Sequence, residues 1–161
     1  MLKRAFDPVV DERTHVLVLG SLPGDASLKA EQYYAHPRNG FWRLIGGVIG
    51  IDLAPLPYLQ RLEALKSAGV GLWDVLASAE RRGSLDAAIR SPETADLRGL
   101  ITGLPELRAV AFNGATAAKA GRWALTGVDD FALIGLPSSS AAYTRPLSGK
   151  AESWAQIRPF L

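Results

Sequence analysis

Four short apolar runs constrain this chain more than any other feature. They are residues 14–19, Val70–Leu76, Ala109–Phe112 and Phe131–Ile134. Each is rich in Val, Leu, Ile or Phe, is bounded by turn residues and is too short for a typical helix. Such runs read as strands buried on both faces. Helical patterns fill the spaces between them: Phe41 to about Ile49, Tyr58–Leu65, Leu97–Gly103, Ala115–Leu125 and Lys150–Ile157. Strands alternating with helices predict a central four-stranded parallel sheet in a three-layer α/β/α sandwich. The 161 residues suit one domain spanning 1–161. Residues 1–13 read as an extended arm. Residues 77–93 read as a polar connection with a short helix at 85–90 capped by Ser84.

A parallel sheet brings the carboxyl ends of its strands to one edge, where open α/β sheets bind ligands. The loops at 20–41, 74–84, 113–114 and 136–146 should therefore meet in one crevice. The first is the longest and carries Gly20-Ser21-Leu22-Pro23-Gly24-Asp25-Ala26-Ser27-Leu28 and Tyr33-Tyr34-Ala35-His36-Pro37-Arg38-Asn39-Gly40-Phe41-Trp42. A loop of this length in a compact domain is usually functional. Asn39 has an uncharged amide whose carbonyl can hold a water and aim its lone pair at an electrophile. Its place in a Pro-Arg-Asn-Gly turn is the competing explanation. Phe41 offers a flat apolar face for stacking, or a core position at the start of a helix. Asp74 and Asn113 end strands, where each can meet a ligand or cap a turn.

The segments GSLPGDASL and YYAHPRNGFW, with GLWDV at 71–75 and LPSSS at 136–140 behind them, resemble the uracil-DNA glycosylase superfamily. Within it the similarity is greatest to the hypoxanthine-DNA glycosylases. The resemblance covers nearly the whole chain in the same order. It implies a monofunctional enzyme that hydrolyses the N-glycosidic bond of a deaminated base, hypoxanthine or uracil, in DNA. Asn39 is then the catalytic residue, Phe41 stacks the flipped base, and Asp74 and Asn113 read it. Leu22 stands where uracil-excising relatives carry Asp, Asn or Glu to activate water. That task must pass elsewhere, and Leu22 is expected to line the base pocket. Ser21, His36, Arg38, Ser138, Ser139, Ser140 and Arg145 are placed against the DNA backbone, where hydroxyls and guanidinium groups bind without reading sequence.

Asp74 takes the place of a base-reading Asn in uracil-excising relatives. It either accepts only from the base N–H, is protonated by burial, or pairs with an Arg. Small residues at Gly24 and Gly40 are expected to leave room for a bicyclic base. Leu136 replaces a His that helps the base depart in many relatives, and Ala141 replaces a Pro usual in the resembling family. Two rival readings remain: a non-catalytic nucleotide- or DNA-binding module on the same fold, and a small-molecule hydrolase using Asp74 and His36.

Composition narrows the chemistry. The chain has no Cys, which excludes disulfides, a thiol nucleophile and a cysteine-ligated iron–sulfur cluster. With two His, a histidine-rich metal site is not expected, and neither metal nor cofactor is implied. The net charge of +2, with 13 Arg among 18 basic residues, is compatible with a phosphate-bearing partner. The amino terminus lacks the apolar core of a secretion signal, and no apolar run is long enough to span a bilayer. A cytoplasmic monomer that works on DNA is the expectation.

Overall fold

The computed structural model describes residues 2–4, 6–81 and 89–161, with side chains described over 6–77 and 94–161. In chain order the elements are β1 (Leu2–Arg4), β2 (Val16–Gly20), α1 (Asp25–Ala30), α2 (Phe41–Ile49), α3 (Tyr58–Ser67), β3 (Val70–Asp74), β4 (Leu76–Arg81), β5 (Ile89–Thr94), α4 (Leu97–Thr102), β6 (Ala109–Asn113), α5 (Ala115–Ala124), β7 (Ala132–Leu136) and α6 (Leu147–Trp154). A 3₁₀ segment, Ala155–Phe160, ends the chain.

The expected parallel sheet forms in the order β3-β2-β6-β7. β2 sits inside it and all five of its residues are buried. Alternation along a strand sends successive side chains to opposite faces. Val16, Val18, Leu72, Ala111 and Leu136 pack with Phe41, Ile45, Leu65 and Trp154 from α2, α3 and α6. Leu17, Leu19, Val110 and Phe112 pack with Leu97, Ala117 and Leu125 on the side of α4 and α5. Two cores on one sheet make the three layers.

The run Val70–Leu76 proves to be two strands. Val75 closes the parallel ladder, its N–H donating to Gly20 O at 2.8 Å, and Leu76 opens β4. β4 pairs antiparallel with both β1 and β5 in a small second sheet ordered β1-β4-β5. The polar stretch 77–93 therefore contains strand where a loop was expected. Its ladder is formed with a distant amino-terminal segment, a contact that local composition does not encode. Residues 85–88 of the expected helix lie outside the described residues, and Ile89 and Arg90 stand in β5. The arm reading of the amino terminus fits the exchange of hydrogen bonds between Val9 and Leu72, both 2.9 Å, along the free edge of β3. Gly71 permits it, because a Cβ there would lie 2.8 Å from Val10 Cγ1. The last helix starts three residues earlier than expected, at Leu147 after Pro146, a residue suited to a helix start.

Gly121 decides how closely α5 meets the sheet. A Cβ there would fall on the Phe112 ring, which is fully buried and carries the Arg122 guanidinium 5.5 Å from its centroid. Gly121→Ala should therefore destabilise the protein by about 1–3 kcal/mol, overpacking outweighing the gain of about 1 kcal/mol in helix propensity. Urea unfolding measures it, and an unchanged or raised midpoint would show that the ring can give way.

Candidate active site

The carboxyl ends of the four parallel strands border one cleft of about 660 Å³. Strand register places its corners. Gly20 pairs with Asp74 across β2 and β3, and Asn113 pairs with Leu136 across β6 and β7. The loops after β2 and β7 close the remaining sides.

Within the long first loop, two neighbouring tyrosines both border the cleft but are held differently. Tyr33 turns to the core, donating its hydroxyl to Asp7 O at 3.0 Å while its N–H donates to Tyr58 Oη at 2.9 Å. Burial, and then the Asp74 carboxylate, push the Tyr33 phenol well above its ordinary pKa, so it remains a donor. Tyr34 adopts φ 53°, left-handed backbone rare for a bulky side chain. That twist swings its ring to the cleft, where it stacks on Phe41 with centroids 3.9 Å apart and planes 16° from parallel. Its hydroxyl would lie 2.9 Å from a Cβ on Gly20, and Asp74 Oδ1 would lie 2.7 Å from the same point. Gly20 thus leaves space for the tyrosine and the carboxylate to converge above the end of β2.

Residues 36–39 form a tight turn. Asn39 N–H donates to His36 O at 3.0 Å, and Arg38 N–H donates to His36 Nδ1 at 3.1 Å. Asn39 Oδ1 accepts from Phe41 N–H at 3.0 Å, at the start of α2. One lone pair of the amide oxygen is thereby committed, which sets the plane of the amide. The oxygen retains a second lone pair, and the NH₂ remains able to donate. Gly40 N–H donates to Ser139 O at 2.9 Å, joining this turn to the loop after β7.

That second loop is braced on several sides. Asn113 Nδ2 donates to Ser139 Oγ, and Ser139 N–H donates to Asn113 Oδ1, both at 2.9 Å. Trp154 Nε1 donates to Pro137 O at 2.9 Å, and Lys150 Nζ to Ser140 O at 3.0 Å. Gly114, at φ 98°, allows β6 and the loop to meet, since a Cβ there would lie 3.2 Å from Ser138 Cβ.

Most residues expected at the site come together. Ser21, Leu22, His36, Arg38, Asn39, Asp74, Asn113 and Ser138–Ser140 all line the cleft. Asp74 is 4% exposed and Asn39 partly exposed. Phe41 is different: it is fully buried and absent from the cleft lining. The inward face of α2 sets it edge-on to Trp154, 5.7 Å between centroids, and Tyr34 covers it on the cleft side. Asn113 reaches the cleft, but both ends of its amide are engaged by Ser139, so it acts first as a brace. Arg145 does not line the cleft; it is exposed beside Gly149 in α6. Gly40 makes no room in the cleft either. It accommodates Leu147, whose Cδ1 would lie 2.8 Å from a Cβ at that position.

Tyr34 and the braces from Trp154 and Lys150 were not singled out from the sequence. The Tyr33-Tyr34 pair signals aromatic surface, and both residues line the cleft, but that Tyr34 would stack on Phe41 depends on its left-handed backbone. A smaller cavity of about 310 Å³ lies beside α4 and the segments leading into β6 and β7. Its Arg98 is held by the Ala124 and Thr126 carbonyls at the end of α5. Among the described residues no group of three His, Asp or Glu could hold a metal ion, and no helix is long and apolar enough to cross a membrane.

Comparison with known proteins adds relatives over almost the full length. Residues 8–159 match the family described as the Uracil DNA glycosylase superfamily. A protein of Methanosarcina barkeri (strain Fusaro / DSM 804) named hypoxanthine DNA glycosylase is 43% identical over 160 residues, 97% of this chain and 98% of that one. One of the same name from Methanosarcina acetivorans is 42% identical over 159 residues, 98% of each chain. A solution NMR structure of a candidate uracil DNA glycosylase from Methanosarcina acetivorans superposes with a TM-score of 0.89 at 40% identity, covering 99% of both chains. With the expected parallel sheet, the two motif loops meeting at its carboxyl edge and this agreement along the sequence, the chain belongs to the uracil DNA glycosylase superfamily.

Proposed function

We propose that this protein is a monofunctional DNA glycosylase that removes a deaminated base, hypoxanthine first and uracil second. The observation that carries the reading is the Asn39 amide, held in one orientation by the Phe41 N–H at the wall of a cleft that also presents Asp74 and Tyr34. The target nucleotide flips out of the duplex into the cleft. Its base lies against the face of Tyr34 turned away from Phe41, which backs the ring from the core. Asp74 accepts from the base N–H. Asn39 positions a water below the sugar carbon C1′. Departure of the base leaves positive charge on the sugar, so a well-placed water needs little help from a strong base. The C1′–N bond breaks with its electrons on the base, the water oxygen bonds to C1′, and a water proton is lost to solvent. The base takes up a proton as it leaves. Lys150 does not line the cleft and its ammonium is turned to Ser140 O, so the reading includes no Schiff base with the opened sugar. Arg38, Ser138 and Ser140 meet the phosphates.

A non-catalytic DNA-binding module is the second reading. It is favoured by one observation: the Asn39–Phe41 hydrogen bond is also how an Asn closes a turn at a helix start. Asn39→Ala separates the two. On the enzyme reading, single-turnover excision falls on the order of 100-fold or more, while duplex affinity changes little. The variant also loses a helix-start bond worth about 0.5–2 kcal/mol, so melting is recorded beside activity. Near wild-type excision by a folded variant would return Asn39 to its turn.

Affinity for duplex DNA should fall with salt, shallowly for a net charge of +2. Contact with roughly three phosphates corresponds to a log–log slope of about −3. Anisotropy titrations across a salt series read it directly, and a flat line would remove DNA as the ligand. Asp74→Asn adds a donor able to meet a carbonyl oxygen. It should raise uracil excision relative to hypoxanthine by about 1–2 kcal/mol, the scale of one buried hydrogen bond. The measurement is the ratio of single-turnover rates on matched oligonucleotides. An unchanged ratio with unchanged rates would put Asp74 outside base recognition.

A further inference from the structure

Lys150 is a buried cation in an unusual setting. It is the fourth residue of α6 and only 4% exposed. Among the described residues no carboxylate lies within ion-pair distance of it. Burial lowers its pKa, as expected for an ammonium withdrawn from water. An apolar side chain of the same length would fill this space without that desolvation cost. What the ammonium does instead is hold the loop after β7. Nζ donates to Ser140 O at 3.0 Å and lies 5.3 Å from the centroid of the Tyr143 ring. Ser140 O also accepts the Tyr143 N–H at 3.1 Å, so one carbonyl joins the lysine to the turn that carries the tyrosine. Ser140, Ala141, Ala142 and Tyr143 all line the cleft, and Tyr143 is 46% exposed.

We propose that Lys150 is a positioning residue for DNA binding, acting through the Ser140 carbonyl and the Tyr143 ring to hold the 138–143 loop in the shape that meets the strand. The inference rests on the DNA-glycosylase reading above. Two features favour a role in shaping the loop over a plain structural one. The lysine's two contacts are both on the loop at the cleft rim rather than within a core. They also hold the segment that the Asn113–Ser139 brace leaves free: Asn113 fixes the loop at Ser139, and Lys150 fixes it one residue further on. An ammonium–carbonyl hydrogen bond is stronger than a neutral one, and an aromatic face adds to it. The chain from Ser140 to Tyr143 then pays less entropy when DNA arrives, because its shape is already set.

The test is Lys150→Met, assayed with duplex DNA bearing hypoxanthine. The expected Kd rises about 10- to 100-fold, the loss of one charge-assisted hydrogen bond. The single-turnover rate at saturating DNA stays within about threefold, because Lys150 does not touch the reacting atoms. The salt slope stays that of the wild type, since a lysine acting through the loop releases no counterion of its own. Lys150→Arg, which keeps the charge and a donor, should recover part of the affinity. An unchanged Kd in folded Lys150→Met overturns the inference. So does a slope shallower by about one, which would make Lys150 a phosphate ligand, and so does a lost maximal rate with Kd intact. If Lys150→Met does not fold, Tyr143→Ala carries the test from the loop side: weaker binding with an unchanged slope is expected, and wild-type affinity overturns the proposal. Failure of the wild type to bind DNA would instead sink the glycosylase reading itself.

Discussion

The reciprocal hydrogen bonds between Asn113 and Ser139 hold the cleft together. Each residue supplies one donor and one acceptor, both are buried, and the pair joins the end of β6 to the loop leaving β7. Such pairs matter because a buried amide left without partners costs about 1–3 kcal/mol. Ser139 then passes the constraint on: its carbonyl accepts the Gly40 N–H, beside the turn that presents Asn39. The two loops that face each other across the cleft are thus one mechanical unit. Movement of either would break a bond that fixes the other.

Preorganisation of this kind suits hydrolysis of an N-glycosidic bond. The sugar bears the developing charge and the attacking water is neutral, so geometry carries more of the barrier than basicity. An uncharged amide with its plane set by the Phe41 N–H can place a water without attracting the competing protonation that a carboxylate would. Asp74 stands at the end of β3, against Gly20 and Tyr34. Among the described residues it is the one buried carboxylate that lines the cleft.

The aromatic arrangement shows how the core and the site share material. Trp154, Phe41 and Tyr34 form a continuous series of ring contacts from the interior to the cleft. Phe41 and Trp154 are fully buried, and each contributes roughly 1.5–3 kcal/mol or more by leaving water. The ring that meets the cleft is therefore backed by rigid packing rather than by a loop alone. Trp154 serves the loop as well, through its bond to Pro137 O.

The amino-acid sequence by itself determined the sheet. Short apolar runs alternating with helical periods admit few arrangements, and a parallel sheet places all strand ends on one edge, so the position of the cleft followed from the order of the elements. The identities of Asn39 and Asp74 as residues of that edge were legible for the same reason. Three things waited for the tertiary structure. The polar residues of β4 become a strand between β1, which comes from the distant amino terminus, and β5, the next strand in the chain; the pairing with β1 is information no local window holds. Tyr34 rather than Phe41 meets the cleft because one left-handed residue reverses the direction of a side chain, while helix α2 buries its neighbour. Asn113 and Lys150 take up bracing because Ser139 and Ser140 arrive beside them only when β6, β7 and α6 pack together. Periodicity fixes which face a residue occupies; a hydrogen bond between elements far apart in the chain exists only once the fold has brought its partners into contact.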